Sequence, residues 1–255
     1  MPDLHQPLPP AVTFVGAGPG AAEHLTLGAL RALQEADVVI HDRLVGDEVL
    51  ALIPARVERV DVGKEGFGPS TAQATINATL VAHAITGVRV VRLKGGDCGI
   101  FGRLDEEMDA LSAAGLSFRI LPGLTSATVA AACIGQSLTK RGRNASLRIL
   151  TGHDMAGFAE QDWRGLARPG EVAAIYMGKK SARFIQGRLL MHGASGATDI
   201  TIVENVSRPD QRVLGTTLAS LPDTIALCDG PAVILFGLAP RAASQSFAVL
   251  KEAQA

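Results

Sequence analysis

The stretch "VRLKGGDCGIFGR", residues 91–103, begins as an apolar strand and then breaks into glycines around an aspartate and a cysteine. Strand interiors disfavour glycine, which costs backbone entropy and supplies no side chain to pack. A strand that ends in such a run predicts that something comes close to the backbone there. The decisive question is whether other strands of the chain end in the same way.

They do. In the first half, short β-branched runs occur at 11–16 (AVTFVG), 36–41 (ADVVIH), 57–63 (VERVDVG), 88–94 (VRVVRLK) and 117–123 (SFRILPG). Helical patterns lie between them. Thr26 predicts an N-cap for a helix whose apolar stripe is Leu27, Leu30 and Leu33 with Ala29 and Ala36. A second helix is predicted over Ser70–Thr86, and a third over Asp105–Ala114 with Gly115 as its C-terminal cap. Strand and helix in alternation mean βαβ units and a mainly parallel sheet.

The second half restarts at 145–152 (ASLRILTG), 171–178 (EVAAIYMG), 199–206 (DITIVENV), 212–218 (RVLGTTL) and 231–237 (PAVILFG). Its last strands are joined by loops too short for the dozen or so residues of a parallel crossover, so a mixed sheet is predicted. The expected fold class is therefore α/β: two α/β domains, a mainly parallel five-stranded sheet followed by a mixed five-stranded sheet. The polar stretch Gln136–Asn144 follows an Ala-rich helix at 124–134 and predicts the break. The expected organisation is a loose arm over 1–10, domains over 11–138 and 139–241, and a tail over 242–255.

Composition narrows the function. With 47% hydrophobic residues the chain can build full cores, and 24 Lys+Arg against 25 Asp+Glu leave no basic excess of the kind a phosphate-binding surface needs. Cys98, Cys133 and Cys228 form no C-x-x-C pair, and the six histidines show no ligand spacing, so no metal is expected. No window has the roughly 18 uninterrupted apolar residues of a membrane span, and the N-terminus lacks a signal pattern. A cytoplasmic protein is expected, without nucleic-acid or membrane partners.

In open parallel sheets, ligands bind beyond the carboxyl ends of the strands. The first-half strands exit into GAGPG (16–20), HDRLV (41–45), GKEG (63–66), GGDCG (95–99) and PGLTSA (122–127). So many glycines on one rim predict a binding cleft. The segment GAGPGA fits a dinucleotide fingerprint nominally, with Asp42 after the next strand. Two details oppose it. Pro19 lacks the N–H a pyrophosphate needs, and the helix starts only near Thr26, too late to aim its N-terminus at a phosphate. A dinucleotide-dependent oxidoreductase is thus the alternative from another class.

Taken in order, "VGAGPGAAEHLTLGALRALQEADVVIHDRLV", "VVRLKGGDCGIFGR", "PGLTSA", "LTKRGRNASLRILTGH", "IYMG" and "VENVSRPDQRV" resemble the tetrapyrrole methylase family, over residues 12 to about 238. The resemblance is strongest to the branch that methylates uroporphyrinogen III, and to its stand-alone form. It implies S-adenosylmethionine (SAM) as methyl donor, bound in a cleft between two α/β domains, and a homodimer. The implied reaction is methylation at C2 and then C7 to give precorrin-2, which feeds sirohaem, cobalamin or haem d1. A relative acting on a later precorrin is the alternative within the family.

By the same resemblance, Pro19, Gly95, Gly96, Asp97, Ile100, Thr125, Ser126, Met177 and Val206 line the donor pocket. Asp42 and Lys64 match positions proposed as proton acceptor and donor, and Arg103, Glu106 and Arg141 match positions facing the tetrapyrrole. The chemistry suits them. Methyl transfer is an in-line displacement, so the protein chiefly positions donor and carbon nucleophile. A carboxylate can take the proton that the attacked pyrrole must lose, and a substrate rich in carboxylates calls for the planar fork of arginine. His153 is read as a structural hydrogen-bonding residue.

Some positions depart from the family pattern. Cys98 replaces proline, Gly99 a large apolar residue, Leu104-Asp105 two small residues, Lys140 a histidine, and Val206 a common glycine. The Cys98-Gly99 pair is expected to loosen the glycine loop.

Overall fold

The computed structural model describes residues 10–63, 72–154 and 157–241. They form two compact units, one up to Thr125 and one from Ser126. The expected arm and tail lie almost wholly outside the described residues.

The first unit contains β1 (Val12–Gly16), α1 (Leu27–Glu35), β2 (Val38–His41), α2 (Asp47–Leu50), β3 (Glu58–Asp61), α3 (Gln73–Ala84), β4 (Val90–Lys94), α4 (Leu104–Ala113) and β5 (Phe118–Leu121). The sheet order is β3-β2-β4-β1-β5 and every pair is parallel. The exits of β2, β4, β1 and β5 therefore stand side by side. The central strands β1, β2 and β4 are buried along their whole length, as expected of a sheet covered on both faces. Val15, Val39, Val91 and Leu93 pack with α1 on one face; Phe14, Ile40 and Val90 pack with Leu80 and Leu111 on the other.

Thr26 caps α1 as predicted, its Oγ1 accepting from the Ala29 amide at 3.1 Å. Of the predicted stripe, Ala29, Leu33 and Ala36 are buried and Leu30 is half-buried, but Leu27 departs from it. Leu27 is exposed, and Ala32 is buried with Ala29 and Leu33. Leu27 sits two residues before Ala29, about 200° round the helix at 3.6 residues per turn, so both cannot face the sheet. Helix α4 ends as expected, with Gly115 at a φ of 69° just beyond it.

The second unit contains α5 (Ser126–Cys133), β6 (Arg148–Thr151), β7 (His153–Asp154), β8 (Gly157–Phe158), α6 (Trp163–Leu166), β9 (Ala173–Tyr176), α7 (Ala182–Met191), β10 (Asp199–Glu204), β11 (Arg212–Thr217), α8 (Leu221–Ile225) and β12 (Ala232–Phe236). Its five-stranded sheet runs β11-β10-β12-β9-β6, with β6 and β9 parallel and the other pairs antiparallel. The sheet is mixed, as predicted from the short loops. The small antiparallel pair β7–β8 was not predicted.

The division after Thr125 falls before the break predicted at 138/139. The cause is α5, whose Ala127, Val129, Ala130 and Ala131 are buried with Val172, Ala174, Val203, Val233 and Leu235 of the second sheet. The polar stretch that suggested a linker is bound to the same unit: Gln136 Nε2 donates to the Ala239 carbonyl at 2.7 Å.

Candidate active site

Four strand exits of the first unit are knitted together through backbone. The amides of Ala17 and Gly18 donate to the carbonyls of Lys94 and Gly96 at 2.8 and 3.1 Å, and the Gly96 amide returns a bond to the Gly18 carbonyl at 2.7 Å. A Cβ on Gly16 would lie 2.5 Å from the Gly123 nitrogen and 2.8 Å from the Gly96 oxygen; one on Gly95 would lie 2.9 Å from Leu44 Cβ. Much of the glycine signal thus has a cause the sequence did not disclose. The exits of β1, β4, β5 and β2 occupy each other's side-chain space, before any ligand is considered. Pro19 is buried in the same knot.

Asp97 fastens this arrangement. Its Oδ1 accepts from the Gly99 amide at 2.8 Å and its Oδ2 from the Gly123 amide at 2.9 Å. Cys98 is fully buried among core residues that include Val12, Phe14 and Leu111, and burial, with the charge of Asp97 beside it, pushes its thiol up to about 12. The loop is anchored at residue 98, so the loosening expected of Cys98-Gly99 is confined to exposed Gly99. Ile100 is half-buried, and its amide donates to the Asp97 carbonyl at 3.3 Å.

Beyond it the backbone is strained. Phe101 and Arg103 have φ of 52° and 54°, in the left-handed region that bulky residues rarely enter. Such strain persists where surrounding structure enforces it, and clusters at functional loops. Arg103 then makes a two-pronged pair with Glu106, Nε to Oε1 and Nη2 to Oε2, both at 2.7 Å. The two partners raise the arginine and lower the carboxyl from their ordinary pKa values. The fork assigned to the substrate is therefore already occupied by the neighbouring glutamate.

Sequence reasoning missed an ion cluster beneath this loop. Arg92 and Lys94 alternate on β4, so both project to one face, and both are buried together with Glu107 of α4. Lys94 Nζ donates to Glu107 Oε1 at 2.7 Å, and Arg92 donates through Nε and Nη2 to the same carboxylate, each at 3.0 Å. Arg92 Nη2 also reaches Asp42 Oδ1 at 2.7 Å. Burial works against the guanidinium's charge, but Asp42 and Glu107 outweigh it and leave Arg92 above its ordinary pKa. The available signal was two cations at alternate positions of an otherwise apolar strand. Lys64, the other predicted proton-transfer residue, lies outside the described residues.

In the second unit the strand exits are strained as well. Met177, half exposed after β9, has a φ of 52°, and Asn205 and Ser207, which flank Val206 after β10, have 50° and 59°. Val206 is itself buried in the core. Buried Glu204 fixes this turn, accepting from the Gly230 amide at 2.5 Å and from Arg212 at 3.1 Å. Thr125 is half-buried at the end of the first unit, and half-buried Ser126 is the first residue of α5. Arg141 is exposed in the turn closed by the Lys140–Asn144 bridge. His153 is exposed, with its carbonyl accepting from Thr151 Oγ1 at 2.7 Å and its ring edge-on to Phe158.

No group of His, Cys, Asp and Glu among the described residues is arranged to hold a metal ion, and no helix among them is long and apolar enough to cross a membrane. Comparison with known proteins identifies the group to which these features belong. Residues 11–222 match the family described as Tetrapyrrole (Corrin/Porphyrin) Methylases. The chain is 44% identical over 226 residues to siroheme synthase 3 of Aeromonas hydrophila, covering 89% of this chain and 48% of that protein. It is 46% identical over 226 residues to siroheme synthase of Edwardsiella ictaluri, covering 89% and 49%. The chain thus spans about half the length of these curated relatives. Among solved structures, uroporphyrin-III C-methyl transferase from Thermus thermophilus, complexed with S-adenyl homocysteine, is 36% identical with a TM-score of 0.77, covering 89% of this chain and 96% of that one. Cobalt precorrin-4 methyltransferase shares the fold at 24% identity and a TM-score of 0.78. The chain belongs to the tetrapyrrole (corrin/porphyrin) methylases.

Proposed function

We propose that this protein transfers methyl groups from SAM to C2 and then C7 of uroporphyrinogen III, giving precorrin-2. The observation that carries the reading is the 36% identity, over nearly the full length of both chains, to a uroporphyrin-III C-methyl transferase crystallised with S-adenyl homocysteine. The residues fit such a donor. The β1 exit offers backbone groups and short side chains, while α1 starts at Leu27 behind its own Thr26 cap, so no helix end addresses a phosphate. That geometry disfavours the dinucleotide reading.

When bound, SAM supplies an electrophilic methyl on a sulfonium. Donor contact is assigned to Pro19, Gly95, Gly96, Asp97, Ile100, Thr125, Ser126, Met177 and Val206. These groups hold the donor in line and exclude water, which is the main protein contribution to such a displacement. Asp42 stabilises the cationic ring left by attack and accepts its proton, with Lys64 as donor. Arg103, Glu106 and Arg141 are assigned to the tetrapyrrole: the two arginines meet its carboxylate side chains, and Glu106 holds the Arg103 fork until a substrate carboxylate takes its place. The working form is proposed to be a homodimer.

Anaerobic incubation of the purified protein with SAM and uroporphyrinogen III, followed by mass spectrometry, tests the reading. A product heavier by two methyl groups is expected; no gain in mass overturns it. The alternative within the family, methylation of a later precorrin, is tested by running that substrate in parallel.

A further inference from the structure

We propose that Glu107 is a positioning residue for methyl transfer: it locks the Arg92 guanidinium in the one orientation that presents its remaining N–H to Asp42. The proposal deepens the function proposed above and rests on it for the role of Asp42.

The hydrogen bonds of Arg92 leave it no freedom. Nε donates to Glu107 Oε2, Nη2 to both Glu107 Oε1 and Asp42 Oδ1, and Nη1 to the carbonyls of Leu93 at 3.2 Å and Ile40 at 3.4 Å. All five donors of the fork are used, and the carboxylate of Glu107 sets the plane. Lys94 holds Glu107 from the other side, and Gln73 Nε2 of α3 approaches the same oxygen at 3.4 Å. The side chain of Arg92 is 1% exposed, Glu107 1% and Lys94 3%, whereas Asp42 is 29% exposed and is the member that faces outward.

Charge supports the same assignment. Arg92 and Lys94 against Glu107 leave one positive charge, and Asp42 balances it. A buried ion set of this kind is a poor way to gain stability, since apolar residues of similar volume often serve as well. Its distinctive product is orientation. Asp42 is presented with Oδ1 committed to Arg92 and Oδ2 without a partner among the described residues, at the exit of β2 beside the exit of β4. Glu107 also follows directly on Glu106, so the helix that carries the Arg103–Glu106 pair on its surface holds Arg92 from within.

The test needs a variant that folds. Glu107→Gln alone leaves two buried cations against one carboxylate, so it is combined with Lys94→Met, which restores charge balance. The double variant is expected to bind S-adenosylhomocysteine within about twofold of the parent and to keep its KM within about threefold. Its kcat falls about 100-fold, because the carboxylate that receives the substrate's charge is no longer held in place. Its crystal structure is expected to show Arg92 Nη2 withdrawn from Asp42 Oδ1. Glu107→Asp, which keeps the charge but shortens the reach, gives the same loss in kcat. A kcat within about twofold of the parent in these variants, or Arg92 still seated on Asp42, overturns the proposal. If the unaltered protein methylates no uroporphyrinogen III, the function proposed above fails, and the Arg92–Asp42 geometry of the double variant still decides the role of Glu107.

Discussion

The Asp97 carboxylate, at the end of β4, accepts a 2.9 Å hydrogen bond from the amide of Gly123 at the end of β5. Its other oxygen is taken by the Gly99 amide. One side chain thereby ties the glycine loop to its own turn and to a strand two places away in the sheet. Asp97→Asn keeps a single acceptor oxygen and is expected to cost about 1.5–3 kcal/mol, with Asp97→Ala losing both bonds and costing more. Urea unfolding reads the difference. An Asp97→Ala protein with the parental midpoint would show that the loop does not depend on this carboxylate.

The glycines at the strand exits make a sharper contrast. A Cβ on Gly123 would meet the carbonyl oxygen of Gly96 and lie 2.8 Å from Gly16 Cα, all of it backbone that cannot step aside. Gly123→Ala is therefore expected to destabilise by about 1–3 kcal/mol or more. Gly187, inside α7, has nothing within 4 Å of its Cβ position. There the same change removes unfolded-state entropy and should stabilise by about 0.5–1 kcal/mol. Opposite signs for the two alanines in denaturant titrations are the expected result, and equal signs would contradict the packing described.

The two sheets were legible because each apolar run is short, β-branched and bounded by turn residues. The mixed character of the second sheet followed from loop length alone. Less was visible where partners are remote. The exposure of Leu27 on α1 and the early domain boundary at Ser126 both depend on which sheet a helix meets. The pair β7–β8 has two residues a strand and offers no alternation to read. Of the candidate site residues, Asp97 stood out among the glycines of its loop, and Asp42 and Arg103 stood out through the family resemblance. Glu107 did not, because its meaning depends on Arg92 and Lys94, cations whose burial is set by a helix that follows the strand. The glycines were found for an incomplete reason: the expectation was a ligand against the backbone, and the structure shows neighbouring strand exits already there.

The Arg103–Glu106 pair is half exposed and joins side chains one helical turn apart. Such pairs add little to folding, so Arg103→Leu should leave the unfolding midpoint unchanged. If the fork serves the substrate's carboxylates, its loss raises KM by about tenfold or more while S-adenosylhomocysteine binding is retained. Glu106→Gln, which weakens the competing partner, is expected to lower KM. Steady-state kinetics on both variants checks the pair, and an unchanged KM for Arg103→Leu removes that residue from substrate recognition.

Cys98 gives the protein a pH dependence of predictable sign. Burial, assisted by the charge of Asp97, raises its thiol from 9.0 to about 12 in the folded state. The unfolded chain releases this proton first as pH rises, so the folded state binds more protons between the two values. The stability contributed is complete below pH 9.0 and is lost as pH climbs toward about 12. Urea unfolding between those limits should show a decline that is steeper in the parent than in Cys98→Ala, by about 1 kcal/mol per pH unit. The alanine variant shares every other titrating group, so the difference belongs to this thiol. Alkylation near neutral pH offers a second reading, with Cys98 protected until the protein unfolds. Parallel pH slopes in the two proteins, or rapid labelling of Cys98 in the native state, would contradict a thiol held in the core beneath the glycine loop.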